Sequence, residues 1–222
     1  MDHTVAPDPE LRALEERYAA EMDERLSELL APIATPLDDP QEVRRSSEAR
    51  LGNLVADAFR AQHGTQVGWI NGGGLRATAE GPDFTLRDAY AIAPFDNKVM
   101  AVEVSGADLR RALEEGVAKV DTQGGGFPQV SGMTYAYSPS APVGSRIGDV
   151  TVGGAPLDDA ATYSVAVTNY VVNGGDGVTG FADGTVLVPA SEAPSDAEAI
   201  AAYVRSLDAV DVPLEGRITV LP

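Results

Sequence analysis

The chain has 222 residues, of which 44% are hydrophobic and 23% charged, and its formal net charge is −18. This length and composition are typical of one folded domain of ordinary to large size, with room for an appendage. The acidic balance argues against nucleic acid or an anionic membrane surface as a general partner, and no apolar run is long enough to span a bilayer.

Residue chemistry narrows the candidate functions further. The chain has no cysteine, which excludes disulfides and thiolate catalysis, and its two histidines, His3 and His63, lack partner ligands at metal-binding spacing. Neither a Gly-x-Ser-x-Gly elbow nor a Walker-type phosphate loop occurs. The first residues have no basic start and no apolar core, so no signal peptide is expected. The chain therefore offers binding groups rather than catalytic ones.

Residues 8–30 predict one helix whose apolar side chains recur at spacings of three and four. Pro7 and Pro9 stand at its start, and acidic and basic residues fill its other face. The apolar stripe, which we interpret as a packing surface, consists of Leu11, Leu14, Tyr18, Met22, Leu26, Leu29 and Leu30.

A second helix is predicted over about residues 47–62, capped by one of the serines at its start and ended by Gly64. Arg44 and Arg45 stand just before it. Because the N-terminus of a helix favours anions, these arginines could form half of an anion site. The alternative is a solvated pair of charges.

Residues 65–70 have strand character and lead into Asn-Gly-Gly-Gly-Leu-Arg at 71–76. Glycines tolerate positive φ, so the backbone around Gly73 could bring bare N–H groups close to a ligand. Asn71 opens the loop with an amide, and Arg76 closes it with a cation suited to phosphate or carboxylate. Two interpretations remain open at this point: an anion or nucleotide cradle, and a tight hairpin.

The second half of the chain alternates short elements with glycine-rich turns. The sequence Pro-Phe-Asp-Asn at 94–97 predicts a turn that exposes Phe95, and a glycine loop is predicted at 124–128. Residues 169–177 repeat the pattern of a strand end, a glycine loop and a carboxylate, here Asp176. Strands are predicted at 98–105, 133–137, 147–152, 163–168 and 216–220, helices at 106–117 and 196–207, and a hairpin turn at 153–154.

Five of these side chains make a chemically coherent set for a nucleoside phosphate. Arg45 and Arg76 can hold a phosphate through charge-assisted hydrogen bonds. Phe95 and Tyr170 can sandwich a flat ring, and Asp176 can accept hydrogen bonds from a ribose diol. Each aromatic residue taken singly is more simply explained by packing in the core, so the interpretation depends on the whole set converging.

Four motifs in register also resemble a known family. They are residues 45–58, which contain Gly-Asn-Leu, then 71–76, 94–97 and 169–177. Together they resemble the C-terminal domain of the 5′-nucleotidase / UDP-sugar hydrolase family. The similarity extends from about residue 33 to the Glu-Gly-Arg-Ile at 215–218.

The resemblance implies roles for particular residues. Phe95 and Tyr170 would stack on the base and Asp176 would hold the ribose, while the remaining members would contact phosphate, ribose or base. Tyr170 stands where many members carry Phe, which should keep stacking, and Arg50 stands where some relatives have Asn. The substrate-binding set expected is Arg45, Asn71, Gly73, Arg76, Phe95, Tyr170 and Asp176.

The resemblance also implies an α/β fold, with a mixed β-sheet flanked by helices and the loops gathered at one edge. Residues 1–31 would form a connector helix, and residues 32–222 the substrate-binding domain of a nucleotide phosphohydrolase. The divalent metal pair would belong to an N-terminal metallophosphoesterase domain that this chain does not contain. The chain alone is therefore expected to need no cofactor and not to hydrolyse AMP.

An alternative is a stand-alone, non-catalytic module for nucleotide binding or dimerisation, because some relatives of the family form homodimers through this domain. The family is usually exported, so the resemblance implies a periplasmic or extracellular location.

Overall fold

A computed structural model describes residues 8–222. His3 and the first seven residues of the expected connector lie outside the described residues. The described helices are α1 (Pro9–Leu26), α2 (Gln41–Arg44), α3 (Arg50–His63), α4 (Leu86–Ile92), α5 (Gly106–Val117), α6 (Asn169–Val172) and α7 (Asp196–Arg205). The described strands are β1 (Leu29–Pro32), β2 (Val67–Asn71), β3 (Asp83–Thr85), β4 (Val99–Ser105), β5 (Pro128–Ser131), β6 (Met133–Tyr137), β7 (Ile147–Val152), β8 (Ala155–Pro156), β9 (Thr162–Thr168), β10 (Thr185–Val188) and β11 (Ile218–Val220).

The fold is built around a five-stranded mixed sheet in the order β10-β4-β9-β2-β5. β2 and β9 run parallel, whereas the other neighbouring pairs run antiparallel. Successive side chains of a strand point to opposite faces, so Trp69 and Ile70 of β2 enter different apolar clusters. The Ile70 cluster includes side chains of α3, α4 and α7, and the Trp69 cluster includes those of α5. The predicted α/β fold with a mixed sheet flanked by helices is confirmed.

A second sheet, in the order β11-β6-β7-β8, packs into the same cluster as α5. β11 runs parallel to β6, and the remaining pairs are antiparallel. Gly153 and Gly154 connect β7 to β8 with φ angles of 59° and 82°. Two successive left-handed residues form the tight turn that suits the twist of a hairpin. The hairpin predicted at this glycine pair is confirmed.

Helix α3 lies directly across β2 and supports the start of the site. Its apolar side chains, including Leu51, Leu54 and Phe59, are fully buried. The helix approaches the strand closely because Gly68 has no side chain, and a Cβ there would lie 2.0 Å from the Ala56 carbonyl oxygen. Gly64 ends the helix with a φ of 62°, as predicted.

The N-terminal helix is shorter than the apolar spacing predicted. α1 ends at Leu26, and Leu29 begins a strand that pairs with β3, so the helix predicted over 27–30 is wrong. No side chain of α1 is buried within the described residues. The chain leaves the helix where it reaches the core, since Ala31 is only 3% exposed. Leu29 and Leu30 extended the helical pattern by chance.

The start of α3 also differs from the prediction. The helix begins at Arg50, and the serines expected to cap it donate their hydroxyls to carbonyls of α2, at Glu42 and Val43. The Asp39 carboxylate accepts from the Leu51 N–H at 2.9 Å and takes the place of a cap. The short helix α2 and the edge strand β10 were not predicted.

Among residues 8–222, no helix combines the length and the apolar composition needed to cross a membrane.

Candidate functional site

The ends of several strands meet at one edge of the five-stranded sheet. Because β2 and β9 are parallel, their carboxyl ends, at Asn71 and Thr168, lie on the same side. β4 and β5 run antiparallel to these strands, with Val99 opposite Thr168 and Pro128 opposite Asn71. The segments that precede β4 and β5 therefore lie beside the segments that follow β2 and β9. The register of the sheet thus gathers four loops at one edge.

These loops surround a cleft with a volume of about 390 Å³. Three residues without a predicted role, Gly74, Asn97 and Gly125, also line it. Asn97 lies in the predicted turn at 94–97 and Gly125 in the glycine run at 124–126, so the sequence carried a signal for both. All seven residues of the expected substrate-binding set line the cleft, namely Arg45, Asn71, Gly73, Arg76, Phe95, Tyr170 and Asp176.

The glycine loop lines the cleft but takes neither the hairpin form nor the positive φ angles considered from sequence. Residues 72–74 form a 3-10 turn, and none of them has a positive φ. The Gly72 N–H donates to the Phe127 carbonyl at 2.7 Å and the Gly73 N–H to the Gly125 carbonyl at 2.8 Å. These two N–H groups are thus not bare, and the chain does not fold back as a hairpin. The lack of a side chain matters for packing, because a Cβ on Gly72 would lie 2.2 Å from the Arg44 carbonyl oxygen.

Three arginines concentrate positive charge at the cleft. Arg45 is half-buried and donates from Nη1 to the Gln123 carbonyl at 3.0 Å, while Arg76 is exposed. Arg44 is buried beneath them and donates to the Ala77 carbonyl at 2.8 Å. Burial lowers the pKa of the Arg44 guanidinium, and although Asp39 opposes this effect, the charges of Arg45 and Arg76 lower the pKa further. Two of these arginines, Arg45 and Arg76, line the cleft, so positive charge is concentrated there although the whole chain is strongly acidic.

The two aromatic residues of the cleft are exposed rather than part of the core. Phe95 is 56% exposed and Tyr170 is 42% exposed, so the core-packing alternative is wrong for both. Asn169 links their segments: its Oδ1 accepts from the Lys98 N–H and its own N–H donates to the Lys98 carbonyl, each at 2.8 Å. This pair of hydrogen bonds fixes the Phe95 turn relative to the residue that precedes Tyr170.

Asp176 is held by residues from two other segments of the site. The Asn71 Nδ2 donates to its Oδ2 at 2.8 Å, and the Tyr170 hydroxyl donates to its Oδ1 at 3.1 Å. The Asp176 N–H in turn donates to the Tyr170 oxygen at 3.2 Å. The backbone of Asp176 is left-handed, with a φ of 57°, which is uncommon for a residue with a side chain.

A second carboxyl group lies behind the cleft and fixes Asn97. Asp196, at the start of α7, is 2% exposed, and its Oδ2 accepts from the Asn97 Nδ2 at 3.2 Å. Its N–H donates to the Asn97 carbonyl at 2.8 Å. Burial raises the pKa of Asp196 from 3.8 to about 6, against the opposing effect of the hydrogen bonds from Ala197 and Asn97.

The other residues considered from sequence lie outside the cleft. His63 contacts the Val99 carbonyl through Nε2 at 2.6 Å, which is a structural interaction. Arg50, at the start of α3, is half-buried and does not line the cleft. Within residues 8–222, no group of three or more histidine, aspartate or glutamate side chains is arranged to hold a metal ion. The described residues thus offer no ligand set for the divalent metal pair that the family resemblance implies.

Comparison with known proteins gives matches over most of the chain. A family model described as "5′-nucleotidase, C-terminal domain" matches residues 31–183. The trifunctional nucleotide phosphoesterase protein YfkN of Bacillus subtilis (strain 168) is 31% identical over 192 residues, which cover 82% of this chain and 13% of that protein. The 5′-nucleotidase of Homo sapiens is 25% identical over 239 residues, covering 98% of this chain and 41% of that protein.

The crystal structure of a 5′-nucleotidase precursor from Thermus thermophilus superposes with a TM-score of 0.86 at 35% sequence identity. The match covers 97% of this chain and 44% of that one. The chain therefore spans less than half the length of each of these three relatives.

Proposed function

The chain belongs to the 5′-nucleotidase C-terminal domain family, and on that premise we propose that its cleft binds a nucleoside or nucleotide. The observation that supports this most is the convergence of two arginines, two exposed aromatic rings and a carboxylate on one cleft. These groups come from segments of the chain that lie far apart in sequence. A hydrophobic core would have buried the rings, whereas both are exposed in the cleft that also contains the Asn71–Asp176 hydrogen bond.

Each group has a role that its chemistry suits. Arg45 and Arg76 pair with the phosphate, and the rings of Phe95 and Tyr170 stack on the two faces of the base. Asp176 accepts from the ribose hydroxyls. Asn71 fixes Asp176, and its side chain is within the cleft for a contact with the sugar or base. The Gly73 backbone forms part of the wall against which the ligand lies.

A titration with adenosine and AMP tests this proposal. We expect saturable binding with a Kd of about 0.05–1 mM, because a site without metal–phosphate contacts retains about 4–6 kcal/mol of binding free energy. Tyr170→Ala should weaken binding of both ligands at least about fivefold, as expected for the loss of a stacking surface. Tyr90→Ala is the matched control, because Tyr90 is also 42% exposed but lies outside the cleft. Absence of saturation at about 10 mM ligand, or equal effects of the two substitutions, would contradict the proposal.

We further propose that the chain serves as the substrate-binding part of a phosphohydrolase. The reaction would take place at a divalent metal pair in a metallophosphoesterase domain, and the residues of this chain would bind and orient the nucleotide. The purified chain should therefore not release phosphate from AMP in the presence of Mg²⁺, Mn²⁺ or Zn²⁺. Metal-dependent turnover by the purified chain that is lost in Arg76→Gln would contradict this division of roles.

The N-terminal segment fits a connector in this arrangement. We propose that residues 1–31 link the binding domain, residues 32–222, to the catalytic domain, with Leu29 and Ala31 already paired to β3 of the binding domain. The apolar side chains of α1 are 42–66% exposed at Leu11, Leu14, Tyr18 and Met22, and would pack against that domain. Light scattering distinguishes this role from homodimerisation of the chain. A dimer that is lost in the double variant Leu11→Ser/Met22→Ser would favour homodimerisation. A periplasmic or extracellular location is proposed from the family resemblance.

A further inference from the structure

The Tyr170 side chain combines an exposed aromatic ring with a hydroxyl that contacts Asp176. The ring packs over the backbone of Gly175, where a Cβ would lie 2.4 Å from a ring carbon. The hydroxyl is within 3.1 Å of the Asp176 Oδ1 and within 3.2 Å of the Asp176 nitrogen. One oxygen atom thus contacts both the side chain and the backbone of the same residue. The ring and the hydroxyl of Tyr170 have separate contacts, so their effects can be separated by substitution.

The hydroxyl also contacts the left-handed backbone of Asp176. Asp176 has φ 57° and ψ 8° and lies near two glycines that also have positive φ, Gly174 and Gly177. Aspartate enters this left-handed region more readily than most residues with a side chain, and here two hydrogen bonds help to fix it. The Tyr170 oxygen accepts the Asp176 N–H, and the Asn71 amide holds the carboxylate from the other side.

The hydrogen bonds of the carboxylate leave a defined number of acceptor positions. A carboxylate has about four lone-pair positions, two on each oxygen. Asn71 occupies one on Oδ2 and Tyr170 one on Oδ1. One position remains on each oxygen, which matches the two donors of a vicinal diol. Burial raises the pKa of the Tyr170 hydroxyl, as does the nearby Asp176 charge, so the hydroxyl keeps its proton and donates at neutral pH.

From this geometry we infer that the Tyr170 hydroxyl is a positioning group that sets Asp176 to accept both hydroxyls of a ribose. The site therefore selects ribonucleosides over 2′-deoxyribonucleosides, and the hydroxyl of Tyr170 supports that selectivity separately from stacking by its ring. This inference rests on the proposed function, because it concerns the sugar of the ligand bound in the same cleft. A phenylalanine at this position would stack on the base but leave the carboxylate held by the Asn71 amide alone.

The test compares binding of adenosine and 2′-deoxyadenosine to the wild-type chain and to Tyr170→Phe, with Tyr90→Phe as the matched control. We expect the wild-type chain and the control to prefer adenosine by about tenfold, as for a hydrogen bond to a charged acceptor. Tyr170→Phe should lower this preference to about threefold or less, with the Kd for 2′-deoxyadenosine changed less than about twofold. If the hydroxyl had a purely structural role, Tyr170→Phe would weaken the binding of both nucleosides equally and leave the ratio of their Kd values unchanged.

Each remaining outcome decides between the two proposals. If the wild-type chain binds both nucleosides but without preference, or if Tyr170→Phe keeps the wild-type ratio, the inference about the hydroxyl is overturned and nucleoside binding stands. If the wild-type chain binds neither nucleoside, the proposed function fails, and the inference fails with it.

Discussion

The Arg76 guanidinium carbon lies 5.9 Å from the centre of the Phe95 ring, within the range of a cation–π interaction. Arg76 follows the glycine turn after β2, and Phe95 precedes β4, so the contact joins two loops of the cleft. The groups proposed to bind the phosphate and the base are therefore neighbours in the fold. A ligand that engages both would find them in place.

This arrangement predicts different effects of the two side chains on nucleoside and nucleotide binding. Arg76→Gln should weaken AMP about five- to tenfold and leave adenosine nearly unchanged, because only AMP carries the phosphate. Phe95→Ala should weaken both ligands at least about fivefold through lost stacking. Isothermal titration calorimetry measures both, with Arg110→Gln as the control, since Arg110 pairs with Asp159 away from the cleft. Equal losses for adenosine and AMP in Arg76→Gln would show that Arg76 does not bind phosphate.

Gly125 tests whether the position of the Asp176 carboxylate matters for binding. A Cβ at Gly125 would lie 2.8 Å from the Asp176 Oδ2, so Gly125→Ala should displace the carboxylate. Adenosine binding should weaken at least about threefold, as for loss of one hydrogen bond, while the melting temperature changes by less than about 3 °C. Gly81→Ala is the control, because the nearest atom to its Cβ would be 3.7 Å away. Unchanged affinity in Gly125→Ala would mean that Asp176 does not contact the ligand.

The ion pair between Arg217 and Asp57 is expected to contribute to the stability of the fold rather than to ligand binding. The Nη1 and Nη2 of Arg217 each lie 2.9 Å from an oxygen of Asp57, and the Arg217 side chain is only 10% exposed. Arg217→Ala leaves Asp57 without its cation and should cost about 3–5 kcal/mol in the free energy of unfolding. Arg205 makes a similar two-bond pair with Glu28 but on the surface, so Arg205→Ala should cost less than about 1 kcal/mol. Comparable losses in urea denaturation would contradict this contrast.

The raised pKa of Asp196 predicts that the free energy of unfolding depends on pH. The Asp196 pKa of about 6 in the folded state lies above its usual value of 3.8, so the folded state binds this proton more tightly than the unfolded chain. The contribution of Asp196 is therefore fully present below about pH 4 and is lost as pH rises through about 6. Asp196→Asn, which stays neutral, should gain about 2 kcal/mol in the free energy of unfolding relative to wild type between pH 4 and pH 7. A difference in the free energy of unfolding that stays constant over this range would contradict the burial effect.

Local sequence patterns predicted the helices and strands whose apolar residues recur at a regular spacing. The residues 147–152 and 106–117 form a strand and a helix with the predicted bounds, because alternating or helical apolar spacing matches the face that is buried. The same reasoning failed for 27–30, where Leu29 and Leu30 continued a helical spacing although the core requires an extended chain from Leu29 onward. Spacing alone does not show where a solvent-exposed helix stops and packing begins.

Predicting the site required more than local sequence patterns. The Asn71–Asp176 hydrogen bond joins residues 105 positions apart, a separation that no local pattern can bridge. The motifs of the family identified both residues, but not that Tyr170 would bind Asp176 as well as offer its ring. The role of the triple glycine was also misjudged, because close backbone packing and positive φ both favour glycine. Only the tertiary structure distinguishes the two.

The most direct test of the nucleotide-binding proposal is an NMR titration of the ¹⁵N-labelled chain with AMP. The largest amide shifts should fall on residues 71–76, 95–97, 125 and 170–176, and should saturate along one binding curve. Adenosine should perturb the same amides, with smaller shifts around Arg76. Shifts that cluster instead in the groove of Asp57, Arg60 and Arg217, or no saturable shift at all, would contradict the assignment of the cleft as the nucleotide site.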